Sequence, residues 1–157
     1  MKTFVYIDHF KGEVQPAAWE ALGLAKSFGT AIALVFGTGA DDVAKAALEY
    51  GADEVLLADD SALTDYRAET YASTLSALAS SHSPNLILLP TTARTREMAA
   101  MAAIDLNTGV LTDVSGLEAN GDSFVATRPI YEGKLIEKTV CSGKPVMATI
   151  RGRAFPK

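Results

Sequence analysis

The chain has 157 residues, 48% of them hydrophobic, and a formal net charge of −5. This length suits one domain with a proper core. The acidic balance argues against nucleic acid or an anionic membrane, both of which need a basic face. Cys141 is the lone cysteine, so no internal disulfide can form.

Thr3-Phe-Val-Tyr-Ile-Asp8 reads as a first strand, apolar on both faces and ended by an acid, as buried parallel strands are. The N-terminus enters this strand with no signal-peptide layout, so a cytoplasmic location is expected. A loop from His9 to Val14 follows. Pro16 suits the first turn of a helix running to about Phe28, with Trp19, Leu22 and Ala25 as its apolar stripe. Gly29 stops it. Ile32 to Phe36 is the second strand. Gly37-Thr-Gly39 then leads into a helix from about Asp41 to Tyr50, capped by Asp41 or Asp42 and ended by Gly51. Glu54 to Ala58 is the third strand, and Asp59-Asp60 closes it.

Tyr71, Leu75 and Leu78 mark the inward stripe of a helix that starts near Ala68 and is broken by Pro84. Asn85 to Leu89 is the fourth strand. Pro90-Thr-Thr-Ala-Arg-Thr95 forms the next turn, and a helix runs from about Arg96 to Leu106. Val110 to Val114 is the fifth strand. The rhythm then changes. Asn120-Gly121-Asp122 is a tight-turn signal, and Phe124 to Tyr131, Leu135 to Cys141 and Val146 to Ile150 read as three strands with no helix between them. The expected fold is α/β: a three-layer sandwich with a mainly parallel sheet and right-handed crossovers, plus a C-terminal antiparallel β-meander. The domain covers residues 1–150. Residues 151–157 read as a tail or a severed linker. The longest apolar runs are of strand length and too short to span a bilayer.

Ligands of open parallel sheets sit at the carboxyl ends of strands. Gly37-Thr38-Gly39 is half of a dinucleotide fingerprint; the third glycine is missing, and Asp41-Asp42 would repel a phosphate. The start of the helix after Pro90 brings together Thr91, Thr92, Arg94, Thr95 and Arg96. These residues suit an anion or a partner protein, or N-capping beside surface arginines. His9 lies beside Asp8 with no nucleophile nearby in sequence, and His82 sits at a helix end where a cation is favoured. Asp59-Asp60 has no further ligands at metal spacing and suits capping of a following turn. Cys141 in a strand suits a small buried hydrophobe. No catalytic residue, metal site or complete active site is expected.

Several segments in order resemble the α subunits of electron transfer flavoproteins: Val5-Tyr-Ile-Asp8, Gly51-Ala-Asp-Glu-Val-Leu-Leu-Ala-Asp59, Pro84-Asn-Leu-Ile-Leu-Leu-Pro90, Leu111-Thr-Asp-Val114, Thr127-Arg-Pro-Ile-Tyr131 and Pro145-Val-Met-Ala-Thr-Ile-Arg151 with Ala154-Phe-Pro156. The set spans essentially the whole chain. The resemblance implies an adenine-nucleotide-α-hydrolase-like N-terminal domain that pairs with a β subunit. The complex would carry electrons from flavin-dependent dehydrogenases to a quinone reductase or another acceptor. It implies FAD in the full subunit or complex, held mainly by a second domain whose motifs are absent here, so that this chain alone binds no flavin stably and 151–157 would lead to that missing FAD domain. It makes Arg128 the position that could contact a flavin of the partner, though Glu132 and Lys134 depart from the family pattern and a carboxylate nearby would counter the charge. Thr92, Arg94, Arg96, Arg128 and Tyr131 are the expected partner interface. The alternative is a free-standing adenine-nucleotide-binding protein of universal-stress type, using Asp8, Gly37 to Gly39 and Thr91 to Thr95.

Overall fold

The computed structural model describes all residues, 1–157. Four helices and eleven strands follow one another along the chain: β1 (Lys2–Tyr6), β2 (His9–Phe10), β3 (Glu13–Val14), α1 (Pro16–Lys26), β4 (Thr30–Gly37), α2 (Asp41–Glu49), β5 (Glu54–Asp59), α3 (Ala68–His82), β6 (Leu86–Pro90), α4 (Ala93–Asp105), β7 (Val110–Val114), β8 (Gly116–Asn120), β9 (Ser123–Ile130), β10 (Leu135–Val140) and β11 (Val146–Ile150). A short 3-10 turn, Ser61–Leu63, follows β5. Six strands form one sheet in the order β5-β4-β1-β6-β11-β7, and every pairing in it is parallel.

Side chains of the central strands alternate between two cores, as a period of two requires. Val5, Ala33, Val35, Leu88 and Ala148 face α1 and α2, together with Trp19, Leu22, Val43 and Ala47. Phe4, Ile32, Leu34, Ile87 and Met147 face α3 and α4, where Tyr71, Leu75, Met98 and Ala102 complete the other layer. Both faces of β6 are therefore covered, which explains its unbroken Leu and Ile run. Each fully buried aliphatic side chain of this kind contributes about 1.5–3 kcal/mol. Trp19 joins the first core and stacks on Tyr50 at 4.1 Å between ring centroids.

The main correction concerns the last strand. Val146–Ile150 does not continue the meander; it inserts into the parallel sheet between β6 and β7 and is buried at every position. Its five consecutive core residues need cover on both faces, which a half-exposed meander cannot give. The antiparallel sheet is instead β8-β9-β10. The Asn120 turn joins β8 to β9, with Asn120 opposite Ser123. Leu117, Phe124 and Ala126 anchor this sheet in the core on the α1 side, and Phe124 meets Phe28 edge-on at 5.3 Å.

Two smaller differences bear on the site. The helix expected from Arg96 begins at Ala93, so Arg94 and Arg96 lie in its first turn. Thr92 is its N-cap, with the Thr92 hydroxyl accepting from the Thr95 N–H and the Thr95 hydroxyl from the Thr92 N–H. At α2 the N-cap is Ala40; Asp41 and Asp42 occupy the first turn, favourable to the helix dipole without capping it. No helix is long and apolar enough to cross a membrane.

Candidate functional site

The sheet order reverses between β1 and β6, because the crossovers through α1 and α2 run one way and those through α3 and α4 the other. A cavity of about 410 Å³ opens at the carboxyl ends of β1 and β4, next to that switch point. Asp8, His9, Phe10, Thr38, Tyr66 and Arg94 are among its lining residues. Asp8 ends the β1 segment and is 1% exposed. Arg94 reaches back from α4 to hold it, with Nη2 3.1 Å from the Asp8 carboxylate. The Thr92 hydroxyl donates to the other carboxylate oxygen at 3.1 Å. A buried carboxylate requires such partners.

Arg94 is itself fixed from two sides. Its guanidinium lies over Phe10, 5.9 Å from the ring centroid, and its carbonyl accepts from the Tyr66 hydroxyl at 2.9 Å. The short β2–β3 hairpin, which was not foreseen within the expected His9–Val14 loop, carries Phe10 into this position. His9 Nε2 bonds the Phe36 carbonyl at 2.8 Å, which ties it to β4 rather than leaving it free as a base. His82, at the end of α3, bonds the Leu78 carbonyl through Nδ1 at 3.1 Å. Burial and the Asp8 charge push the Tyr6 hydroxyl well above its ordinary pKa. Burial and then Glu97 push Tyr66 up to about 12. Burial raises Tyr71 as well.

Part of the anion-binding potential of the α4 start is used internally. The capping box occupies the Thr92 and Thr95 N–H groups, and Arg94 neutralises Asp8. Asp42 and Asp65 add further acid to the cavity wall. Gly37-Thr38-Gly39 acts as a turn: Gly39 takes φ +64°, and Thr38 donates to the Asp60 carbonyl and meets the Thr64 hydroxyl at 2.7 Å. Asp60 accepts from the Ala62 N–H, the expected capping role. This lining disfavours a phosphate, and with it the free-standing nucleotide reading.

Of the five expected interface residues, only Arg94 lines the cavity. Thr92 sits behind it as the cap, and Arg96 points from the exposed first turn of α4. Arg128 belongs to a second cluster, on β9. Its Nε pairs with Glu137 directly across on β10, and its Nη1 donates to the Thr112 hydroxyl of β7 at 2.8 Å. The carboxylate that answers Arg128 is thus Glu137, not Glu132. Beside Thr112, Asp113 takes φ +53° at a register shift between β7 and β11, a conformation an aspartate tolerates better than most residues. Arg151 holds its carboxylate at 2.8 Å, and Thr149 accepts its N–H at 2.8 Å. Tyr131 is 73% exposed in the β9–β10 turn.

Two features escaped sequence reasoning. Glu20 is 3% exposed, and its carboxylate accepts the N–H groups of Arg153 at 3.0 Å and Phe155 at 3.3 Å. An acid between Trp19 and Leu22 on an apolar stripe was the available signal. Cys141 lies just beyond β10, half-buried near Thr108, rather than inside a strand. The chain presents no cluster of metal-ligating side chains.

Comparison with known proteins agrees with this architecture. The electron transfer flavoprotein domain matches residues 3–157. The chain is 34% identical to Protein FixB of Bradyrhizobium diazoefficiens, over 98% of this chain and 44% of that protein. It is 33% identical to the electron transfer flavoprotein subunit alpha of Syntrophomonas wolfei, over 95% of this chain and 47% of that protein. Against the lactate dehydrogenase (NAD(+),ferredoxin) subunit LctC of Acetobacterium woodii the identity is 30%, over 96% of this chain and 38% of that protein. The chain spans less than half the length of these relatives. A two-core parallel sheet with a small antiparallel sheet attached, matched from end to end by this domain, places the chain in the electron transfer flavoprotein family, alongside its α-subunit and FixB members.

Proposed function

We propose that this chain acts as the N-terminal domain of an electron transfer flavoprotein α subunit, docking a β subunit and supporting FAD-mediated electron transfer without performing chemistry alone. The complex would take electrons from flavin-dependent dehydrogenases and pass them to a quinone reductase or another acceptor in the cytoplasm. It is an electron-carrier component rather than an enzyme, and nucleic acid and membrane insertion play no part in it.

One observation carries this reading. Donors that could grip a flavin pyrophosphate are in part engaged within the fold: the Thr92 and Thr95 N–H groups at the α4 start by the capping box, and the Arg94 guanidinium by Asp8. The start of α2 bears Asp41 and Asp42. This donor set does not fit stable FAD binding, which supports a flavin held by another domain or by the partner.

The docking surface would comprise the β8-β9-β10 sheet and the α4 start, with Thr92, Arg94, Arg96, Arg128 and Tyr131 as its polar and aromatic contacts. Arg128 keeps Nη2 outside its bonds to Glu137 and Thr112. In this reading that N–H edge points to a flavin of the partner, where a guanidinium would favour an anionic form. Glu137 offsets part of that charge. The residues of this chain therefore bind and orient; the flavin supplies the redox chemistry when the complex is assembled.

The test is size-exclusion chromatography of the chain mixed with its β subunit, with and without a supplied flavin domain. Co-elution supports the reading. Failure to associate even with the flavin domain restored refutes it.

A further inference from the structure

We propose that the cavity at the carboxyl ends of β1 and β4 binds a small uncharged aromatic carboxamide, recognised by the Tyr6 hydroxyl and the Asp8–Arg94 pair. This goes beyond the docking reading above and does not depend on it. Tyr6 is the residue that carries it. It is 3% exposed and lines the cavity. Its ring is fixed against Phe36, with 5.4 Å between centroids. Its hydroxyl makes no hydrogen bond within the protein, and it is not sealed in the core as the Thr3 hydroxyl is; it opens on the cavity. The other two tyrosines of the wall are engaged: Tyr66 donates to the Arg94 carbonyl at 2.9 Å and Tyr71 to the Leu63 carbonyl at 2.6 Å. A buried hydroxyl requires a partner, and a ligand that supplies one gains affinity from it.

The charged groups of the cavity select against ions. Asp8, Asp42 and Asp65 face it with negative charge, and Lys11 and Arg94 with positive. Burial is the main cause of the raised pKa values of Tyr6, Tyr66 and Tyr71; beyond it, Asp8 raises each and Arg94 lowers each, so these hydroxyls sense both ends of the ion pair. An entering anion meets the Asp8 carboxylate, an entering cation meets the Arg94 guanidinium, and either must shed its water. A neutral group with a strong dipole meets no such opposition.

A primary carboxamide is the matching group, because its carbonyl accepts and its NH2 donates. Tyr6, kept protonated by burial, offers an O–H to that carbonyl. Arg94 has N–H groups beyond the Nη2 that holds Asp8, and Asp8 is the acceptor for the NH2. The rest of the wall suits a planar ring. Phe36 and Tyr71 meet edge-on at 5.8 Å, Tyr66 and Tyr71 at 5.0 Å, and Phe10 is 59% exposed at the rim. At about 410 Å³ the cavity has the size of small-molecule sites and admits a one-ring ligand.

Benzamide, benzoate and benzamidinium share one shape and differ in charge. Each is titrated into the isotope-labelled 157-residue chain and followed by amide proton–nitrogen spectra. Benzamide should shift the amides of Asp8, Gly37 and Arg94 saturably, with a Kd of about 1–10 mM. Benzoate and benzamidinium should bind at least about tenfold more weakly. Tyr6→Phe removes only the hydroxyl and should weaken benzamide about tenfold. It should not lower Tm, because that hydroxyl makes no bond within the protein; a purely structural tyrosine would lower Tm and leave the selectivity among the three probes intact. N,N-dimethylbenzamide, which has no N–H to donate, should also lose about tenfold, and that comparison stands whether or not the Tyr6 variant folds. No saturable shift by about 50 mM benzamide, shifts confined to residues away from the cavity, equal binding of the three charge forms, or equal binding of the dimethyl probe overturns the proposal. So does a folded Tyr6→Phe variant that binds benzamide as tightly as the parent.

Discussion

Replacing Arg94 with Ala strips the buried Asp8 carboxylate of its only cationic partner. Asp8 is 1% exposed and would keep one hydrogen bond, from Thr92. Leaving a buried charge without its partner costs about 3–5 kcal/mol. Arg94 is 31% exposed, and the cavity beside it would admit water to the carboxylate, so the cost falls below that range, at about 2–3 kcal/mol. For a domain of this size that lowers Tm by about 4–12 °C. Urea titrations followed by far-UV circular dichroism measure the loss directly. Arg94→Lys should recover only part of it, since an ammonium loses the planar contact with Phe10 and reaches the carboxylate differently. The decisive variant adds Asp8→Asn to Arg94→Ala. Removing the uncompensated charge should return about 1 kcal/mol or more, a coupling that contacting residues show and distant ones do not. If Arg94→Ala costs under about 0.5 kcal/mol, or the double variant is no more stable than the single, the pair is not what holds Asp8 in the fold.

Other consequences follow from the same geometry. Tyr66 should titrate near 12 by absorbance at 295 nm, and Tyr6 well above the ordinary phenol range. Because the folded-state values of Tyr6, Tyr66 and Tyr71 are raised, the unfolded chain ionises first. Their contribution is complete below about pH 10 and is lost as pH rises toward the folded values; a flat stability profile between pH 9 and pH 12 would contradict this. Thr92→Ala removes an N-cap and a donor to Asp8 together and should cost about 1–2 kcal/mol in the same urea assay, with Thr92→Ser close to wild type. Glu20→Ala takes away the acceptor for the Arg153 and Phe155 N–H groups, so those two amides should exchange at least tenfold faster while β6 amides stay protected; unchanged exchange would mean that the tail is held by Phe155 packing alone.

Strands β1, β4, β5, β6 and β7 were legible because continuous apolar runs bounded by acids, glycines or prolines have few other readings. The start of α1 was legible because Pro16 supplies a local reason, whereas α4 begins three residues before the expected Arg96, with Thr92, one of two threonines that suited the cap, as its N-cap. The place of β11 was not. Val146–Ile150 announces a strand buried on both faces, but nothing local says that it enters the parallel sheet between β6 and β7. That choice rests on pairing across more than thirty residues of β8, β9 and β10. The third meander strand, Gly116–Asn120, was missed because its residues beyond Leu117 are exposed and carry no apolar alternation. At the candidate site, Asp8, Arg94 and Arg128 were each visible as residues, while their partners were not. The Asp8–Arg94 pair joins β1 to α4, and Glu137 reaches Arg128 only through the β9–β10 register. Such contacts are products of the fold and leave no trace in local spacing.

The claim that this chain docks and orients but leaves the flavin to a partner or another domain is tested most directly by its own flavin retention. The purified chain is incubated with excess FAD, desalted, and its absorbance at 450 nm compared with that at 280 nm. The pairing of Arg94 with Asp8 and the capping of the Thr92 and Thr95 N–H groups predict almost no retained flavin. One tightly held FAD per chain would contradict the account.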